Sequence, residues 1–304
     1  MKVGGPDRAR KAIQDFEDWS EKKSAELDDA CNQLGSVYHY TDMAGFAGII
    51  GSNEIWFTDT NYLNDPSEFH YGMGLAVDSL ERFAASNNEN VKRFCRLTND
   101  ALVSTHKSLF LHFIACFSLS NNDLSQWRSY ADNARGVAIE FSPGLFKISD
   151  KPVKDGLNNF GAVITYDEKK AKARIQEAIG RAISVVPSLP EFESMVELSA
   201  ALVGRIVPYV IGCKHVAYSH EKEVRLIVPG RKSVLESQVS FRVRDSMLVP
   251  YLKVPFQLSG RVAKIFVGPA ASPQAVASVS SFLRRHGFLN VPVAKSEIPY
   301  TALV

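Results

Sequence analysis

The alternation of apolar and polar positions divides the chain into a leading helix, a mixed first half and a strand-rich second half. Over residues 6–34 helix formers carry Ala9, Ile13, Phe16, Trp19 and Leu27 roughly on one stripe, predicting an amphipathic helix that packs on the main fold. Next come a strand over 37–40, a helix over 43–51 capped by Asp42, and a strand over 54–58. Two helices fall between 71 and 107, broken at the polar, asparagine-rich 86–90. A buried strand over 109–118, a short helix over 127–131 and a strand over 136–141 close the first half.

Residues 161–166 read as a strand, and Asp167 opens a long helical stretch broken at 187–190. Pro208 is expected to kink or begin the last helical piece. Strands are then expected at 223–228, 239–243, 248–254 and 262–267, followed by a helix at 273–286 and a strand at 291–293. Strands flank a helical insertion rather than alternating with helices, which argues for an α+β fold over a doubly wound sheet. At 304 residues one large core is within reach, so the expected division is an N-terminal helical extension over 1–35 and one α+β domain over 36–304.

A formal net charge of +2 supplies no field that would seek out a polyanion, so nucleic acid is permitted but not indicated. Cys31, Cys95, Cys116 and Cys213 are widely spaced without a CxxC pair, the usage of a reducing cytosol without structural zinc. The first residues lack the apolar stretch of a signal peptide. The apolar window 200–213 is interrupted by Arg205 and Pro208 and reads as a buried helix rather than a membrane span. A cytoplasmic protein without a membrane partner is therefore expected, with a specialised secretion system as the alternative route of export. Phosphate-loop, dinucleotide-fingerprint, zinc-protease and esterase motifs do not occur, and His106 and His112 lack a metal-ligand spacing, so no metal is expected.

The candidate chemistry lies in two places. His39 sits in the run Tyr38-His39-Tyr40-Thr41, and Glu221, Glu223 and Arg225 alternate, so the last three should share one face of a strand. Each also has a structural reading, a core histidine and a salt-bridged strand surface. Asn64-Asp65-Pro66 suits a turn, leaving Glu68 unassigned. Trp127 and Tyr130 lie three apart on a helix and share a face that packs in the core or lines a cleft. Arg242-Val243-Arg244 reads as an exposed strand face.

Taken in order, these segments resemble the bacterial domain-of-unknown-function family 2971. The resemblance is carried by His39-Tyr40-Thr41, Leu63 to Pro66 with Glu68, Cys116-Phe117-Ser118, Trp127 with Ser129-Tyr130-Ala131, and Gly136 to Phe141. It continues through Lys214 with Glu221, Glu223 and Arg225, then Val249-Pro250-Tyr251, Ile265 to Pro269 and Ser296 to Tyr300. It departs at Thr301, where the pattern has a basic residue.

More distantly, the strand bearing His39 and Thr41, the following helix and second strand, and the late Glu221-Lys222-Glu223 are similar to ADP-ribosyltransferase folds. That resemblance implies a split β-sheet core, NAD as substrate and an acceptor that is a protein, nucleic acid or small molecule. It also implies a toxin, effector or phage-defence setting, with an antitoxin as a candidate partner. Under it Glu223 faces the oxocarbenium ion, and Glu221 orients or deprotonates the nucleophile. His39 hydrogen-bonds the adenosine ribose, with Thr41 on the same strand, Tyr40 or Trp56 stacks on nicotinamide or adenine, and Arg225 or Arg128 binds pyrophosphate. Asn64, Trp127 and Tyr130 complete the expected NAD-binding set. The alternatives are a noncatalytic nucleotide-binding or protein-interaction module, and a metal-dependent nuclease or hydrolase using Asp65, Glu68, Glu221 and Glu223.

Overall fold

A computed structural model describes residues 5–63, 67–145, 159–189, 191–244, 246–256 and 258–300. The helices are α1 (Gly5–Asn32), α2 (Met43–Ser52), α3 (Ser67–Ala84), α4 (Glu89–Asp100), α5 (Lys107–Leu109), α6 (Leu124–Tyr130), α7 (Glu168–Val185), α8 (Phe192–Ile211), α9 (Lys232–Leu235) and α10 (Ala275–Arg285). The strands are β1 (Val37–Thr41), β2 (Glu54–Asp59), β3 (Phe110–Ser118), β4 (Val137–Phe141), β5 (Phe160–Val163), β6 (Glu223–Arg231), β7 (Ser240–Arg244), β8 (Met247–Pro255), β9 (Val262–Val267) and β10 (Val293–Lys295). The fold is mixed α+β, with a single large mixed sheet.

β3 organises that sheet. β6 runs antiparallel along the whole of one edge, from Phe110 opposite Arg231 to Ser118 opposite Glu223. The other edge is shared: β1 meets it at Tyr38 opposite Ser118, and β2 meets it at Thr58 opposite Ile114 and Asp59 opposite Phe113. A strand has only two hydrogen-bonding edges, so β1 and β2 must part along Ala115, Cys116 and Phe117. The split opens a gap inside the sheet. β1 continues into β4, β9 and β10, while β2 continues into β8 and β7.

Period-two alternation along β3 and β6 divides the core. Phe113, Ala115, Phe117, Val224, Leu226 and Val228 face one cluster with Phe46 and Ile50 of α2 and Val279 and Leu283 of α10. Ile114 and Ile227 point to the opposite face and join a helical layer of α1, α3, α4, α7 and α8. Residues an even number of positions from these, Cys116 on β3 and Arg225 and Glu223 on β6, look the same way. The charged pair therefore sits at the junction of sheet and helical layer.

α1 lays Ala9, Ile13 and Phe16 into that layer, as its stripe predicts. Asp28 accepts a hydrogen bond from the Gly161 amide at 3.0 Å, and Arg205 Nη1 donates to the Ser20 carbonyl and the Ser24 hydroxyl. α8 is longer than the apolar window suggests. Its 20 residues are long and apolar enough to cross a membrane by composition, yet its apolar side chains are mostly buried in this fold. Pro208 lies inside the last turn and does not begin a new piece.

Candidate active site

The gap between β1 and β2 widens into a cavity of about 460 Å³. Its lining includes His39, Tyr40, Thr41, Trp56, Glu68, Tyr130, Glu221, Glu223 and Arg225, with Lys214, Arg242 and Arg244. That volume falls within the range of small-molecule sites.

Local sequence explains how these groups arrive. Glu68 stands in the first turn of α3, and Lys214 follows α8 where Cys213 bridges to Thr165. Glu223 and Arg225 lie two apart on β6. Glu221 was expected on the same strand, but it closes a 3₁₀ turn over Val216–Glu221. Lys222 then adopts φ 45°, a left-handed turn, and Glu221 still reaches the cluster from outside the strand. The Ser118 hydroxyl anchors the turn by donating to the Glu221 carbonyl at 2.8 Å, and the Glu223 amide donates to the Tyr166 hydroxyl at 2.9 Å.

The result is a buried cluster of three carboxylates and two cations. Lys214 Nζ lies 2.7 Å from Glu68 Oε1 and 3.3 Å from Glu223 Oε2, and it also contacts Glu221 Oε2. Arg225 grips Glu223 with Nε at 2.6 Å and Nη2 at 2.9 Å, reaches Glu68 with Nη2, and donates from Nη1 to the Ile211 carbonyl. Tyr130 donates its hydroxyl to Glu221 Oε1 at 2.9 Å. Burial alone would push the Glu223 carboxyl up, but the Arg225 guanidinium, Lys214 and a hydrogen bond from Cys116 more than offset it and bring it to about 2. Burial also works against the Lys214 charge, and Glu223, Glu68 and Glu221 overcome it, holding the ammonium above its ordinary range. Both partners stay ionised, and the cluster carries a formal excess of one negative charge.

His39 enters differently. By register Tyr38 lies opposite Ser118, itself opposite Glu223, so His39 alternates to the other face and packs on Phe117 at 5.6 Å between ring centroids. It reaches the cavity because it stands at the split, where its Nδ1 bonds the Cys116 carbonyl at 2.8 Å. A carbonyl only accepts, so Nδ1 carries the proton and Nε2 is left as an acceptor. Burial, aided by the Arg242 charge and opposed by the Cys116 carbonyl, lowers the imidazole below its ordinary 6.5 and keeps it neutral.

Several expected site residues fall elsewhere. Trp127 is fully buried with Tyr40, Ala131 and Ala138, donates its indole N–H to Asn122, and does not line the cavity. One turn of helix separates it from Tyr130, and the two side chains divide the roles that a shared face suggested. Arg128 is exposed and also outside the lining. Tyr40 lines the cavity, but its hydroxyl is committed to the Ser120 carbonyl. Arg225 is wrapped in carboxylates, with its Nε and Nη2 committed to Glu223 and Glu68 and its Nη1 donating to the Ile211 carbonyl, so its charge is already spent on partners within the protein. Asn64 and Asp65 lie outside the described residues. Conversely, Lys214, Cys116 and Arg242 join the site without having been assigned a role from sequence. The i, i+2 spacing of Arg242 and Arg244 was the available signal. Among the described residues no group of His, Cys, Asp and Glu is arranged to hold a metal ion.

Residues 126–226 match the model of a family described as Protein of unknown function (DUF2971), supporting over that stretch the family resemblance seen in the motifs. The stretch contains Tyr130, Lys214, Glu221, Glu223 and Arg225, while His39, Trp56 and Glu68 come from outside it. A search of curated proteins and a search of solved structures each returned no match.

Proposed function

We propose that the chain is an NAD-dependent ADP-ribosyltransferase acting in this cavity. The observation that carries the reading is the meeting of a neutral His39 and a carboxylate-rich, net-negative cluster in one cavity at the split of the sheet. NAD presents a cationic nicotinamide ring, and breaking its C1′–N1 bond sends the electron pair to the ring nitrogen and leaves an oxocarbenium ion on the ribose. A fixed, ionised carboxylate facing that carbon lowers the barrier because it needs no reorganisation as the charge develops. Glu223 has that character, held ionised by Arg225 and Lys214. In this reading Glu221, held by Tyr130 and Lys214, orients the acceptor and takes its proton as the new bond to C1′ forms. The Nε2 lone pair of His39 accepts a ribose hydroxyl.

The metal-hydrolase alternative meets an obstacle in the same geometry. The ammonium of Lys214 and the guanidinium of Arg225 already occupy the positions among Glu68, Glu221 and Glu223 that a divalent cation would need. A noncatalytic module would leave the cleft filled or the two groups apart, whereas His39 and Glu223 line one cavity.

The test is nicotinamide release from NAD by wild type and by Glu223→Gln, with circular dichroism confirming that the variant is folded. Release lost in the variant is expected, and labelling that depends on added lysate identifies a macromolecular or small-molecule acceptor. A folded wild type that neither binds NAD by calorimetry nor releases nicotinamide sinks the reading.

A further inference from the structure

β7 is turned inside out. A surface strand ordinarily shows its charges to water and its apolar residues to the core, yet Phe241 and Val243 are 62% and 76% exposed while Arg242 and Arg244 face the cavity and are partly buried. The register agrees: Arg242 lies opposite Val249, which shares a face with Tyr251, and Tyr251 lies opposite Thr58 on β2, itself opposite Ile114 on β3. The two arginines thus continue the cavity-facing surface on which Glu223 and Arg225 lie.

Arg242 lacks a direct acidic partner among the described residues. Among the described residues it forms no ion pair; its Nη2 donates to the Thr58 hydroxyl at 2.9 Å, and its guanidinium stands 5.9 Å from the Trp56 ring and 5.7 Å from the Tyr251 ring. Arg244 donates to the Tyr62 carbonyl at 2.8 Å. Asp42 attracts the Arg242 charge from a distance, and one of its oxygens is committed to capping α2 at the Gly45 amide. Burial and the neighbouring Arg244 both work against the Arg242 charge. A partly buried guanidinium at Arg242 that forms no ion pair among the described residues, with Arg244 on the same cavity-facing side and two apolar side chains exposed in exchange, points to an anion bound in the cavity.

We propose that Arg242 and Arg244 form a diphosphate-binding subsite on the β7 side of the cavity, taking the phosphates of a nucleotide, with Trp56 and Tyr251 as the aromatic wall beside them. The inference rests on the NAD reading for the identity of the nucleotide. It moves the phosphate role from Arg225 and Arg128 to β7. A planar guanidinium fork matches phosphate oxygens in pairs, and the nearby rings keep the site partly dry, which strengthens the attraction.

Calorimetry with ADP and with adenosine, on wild type, Arg242→Gln and Arg244→Gln, tests it. ADP is expected to bind wild type, to bind each variant about tenfold more weakly or worse, and to lose affinity in wild type as ionic strength rises. Adenosine should bind all three alike, and Arg242→Gln should melt no lower than wild type because it removes a desolvated, unneutralised charge. The salt dependence in wild type stands even if a variant fails to fold. ADP binding that is absent, insensitive to salt, or equal in wild type and folded variants overturns the subsite. Nicotinamide release persisting beside that result would leave the catalytic reading intact. ADP binding lost in the variants, with no NAD cleavage by wild type, would uphold the subsite and remove the transferase.

Discussion

Lys214 and Glu68 meet at 2.7 Å with both side chains buried, one from the segment after α8 and the other from the first turn of α3. The pair ties α3 to the segment after α8, and the same ammonium carries the link on to Glu223 at the start of β6. Lys214→Met would leave three buried carboxylates with Arg225 alone. Removing one partner of a buried ionic network typically costs about 3–5 kcal/mol, because the remaining charges stay desolvated. A urea midpoint well below wild type is expected, and an unchanged midpoint would show that the network contributes nothing to the fold.

Glu223 sets the acid sensitivity. Its carboxyl is lowered from an ordinary 4.5 to about 2 in the folded protein, so the unfolded chain takes up a proton first as pH falls. The stabilisation is fully present above about pH 4.5 and is lost progressively down to about pH 2. A shift of that size corresponds to roughly 3 kcal/mol. Glu223→Gln should therefore show a shallower loss of stability than wild type across that window in denaturant titrations at stepped pH. Parallel curves would contradict the assignment.

How much of this was legible in the sequence depends on what each residue answers to. β4 and β9 are apolar runs buried within one core, so their positions follow from composition and alternation. Asp42 and Asp167 cap α2 and α7 through bonds to Gly45 and Lys170, interactions a local pattern contains. Alternation assumes extended backbone and so puts Glu221 on β6, and the left-handed Lys222 breaks that assumption. Lys214 enters the sequence reading only through the family resemblance, with no role of its own, since its partners come from α3, the 3₁₀ turn before β6 and β6 itself. The inward turn of Arg242 was hidden for the opposite reason: the charges of β7 suggest solvent, and only the cavity reveals which face they occupy.

Gly72 permits the close approach that brings Glu68 to Lys214. A Cβ built on it would lie 2.3 Å from the Val210 carbonyl oxygen and 2.9 Å from its Cα, both backbone atoms that cannot swing aside. Gly72→Ala must push α3 from the end of α8. Overpacking of this kind costs about 1–3 kcal/mol, and here it also parts an ion pair. The expected result is a lower thermal midpoint together with reduced activity, although Gly72 does not line the cavity. Full activity in a folded Gly72→Ala would mean that the cluster tolerates displacement of α3.

His39→Asn separates the two jobs of the imidazole. The asparagine amide nitrogen occupies the place of Nδ1 and keeps the bond to the Cys116 carbonyl, so stability should stay within about 1 kcal/mol of wild type. What disappears is the Nε2 acceptor that the proposed function assigns to a ribose hydroxyl, and nicotinamide release should fall by tenfold or more, about the worth of one charge-free hydrogen bond to a hydroxyl in a dry site. The pH dependence gives an independent check. Because the folded imidazole titrates below 6.5, the unfolded chain binds the proton first, and the stability owed to the neutral ring is present above 6.5 and lost as pH falls. Protonation also turns Nε2 from acceptor to donor, so release by wild type should decline on that acid limb while His39→Asn stays flat at its lower level. An acid limb retained in the variant would assign that titration to another group and return His39 to a structural role at the split of the sheet.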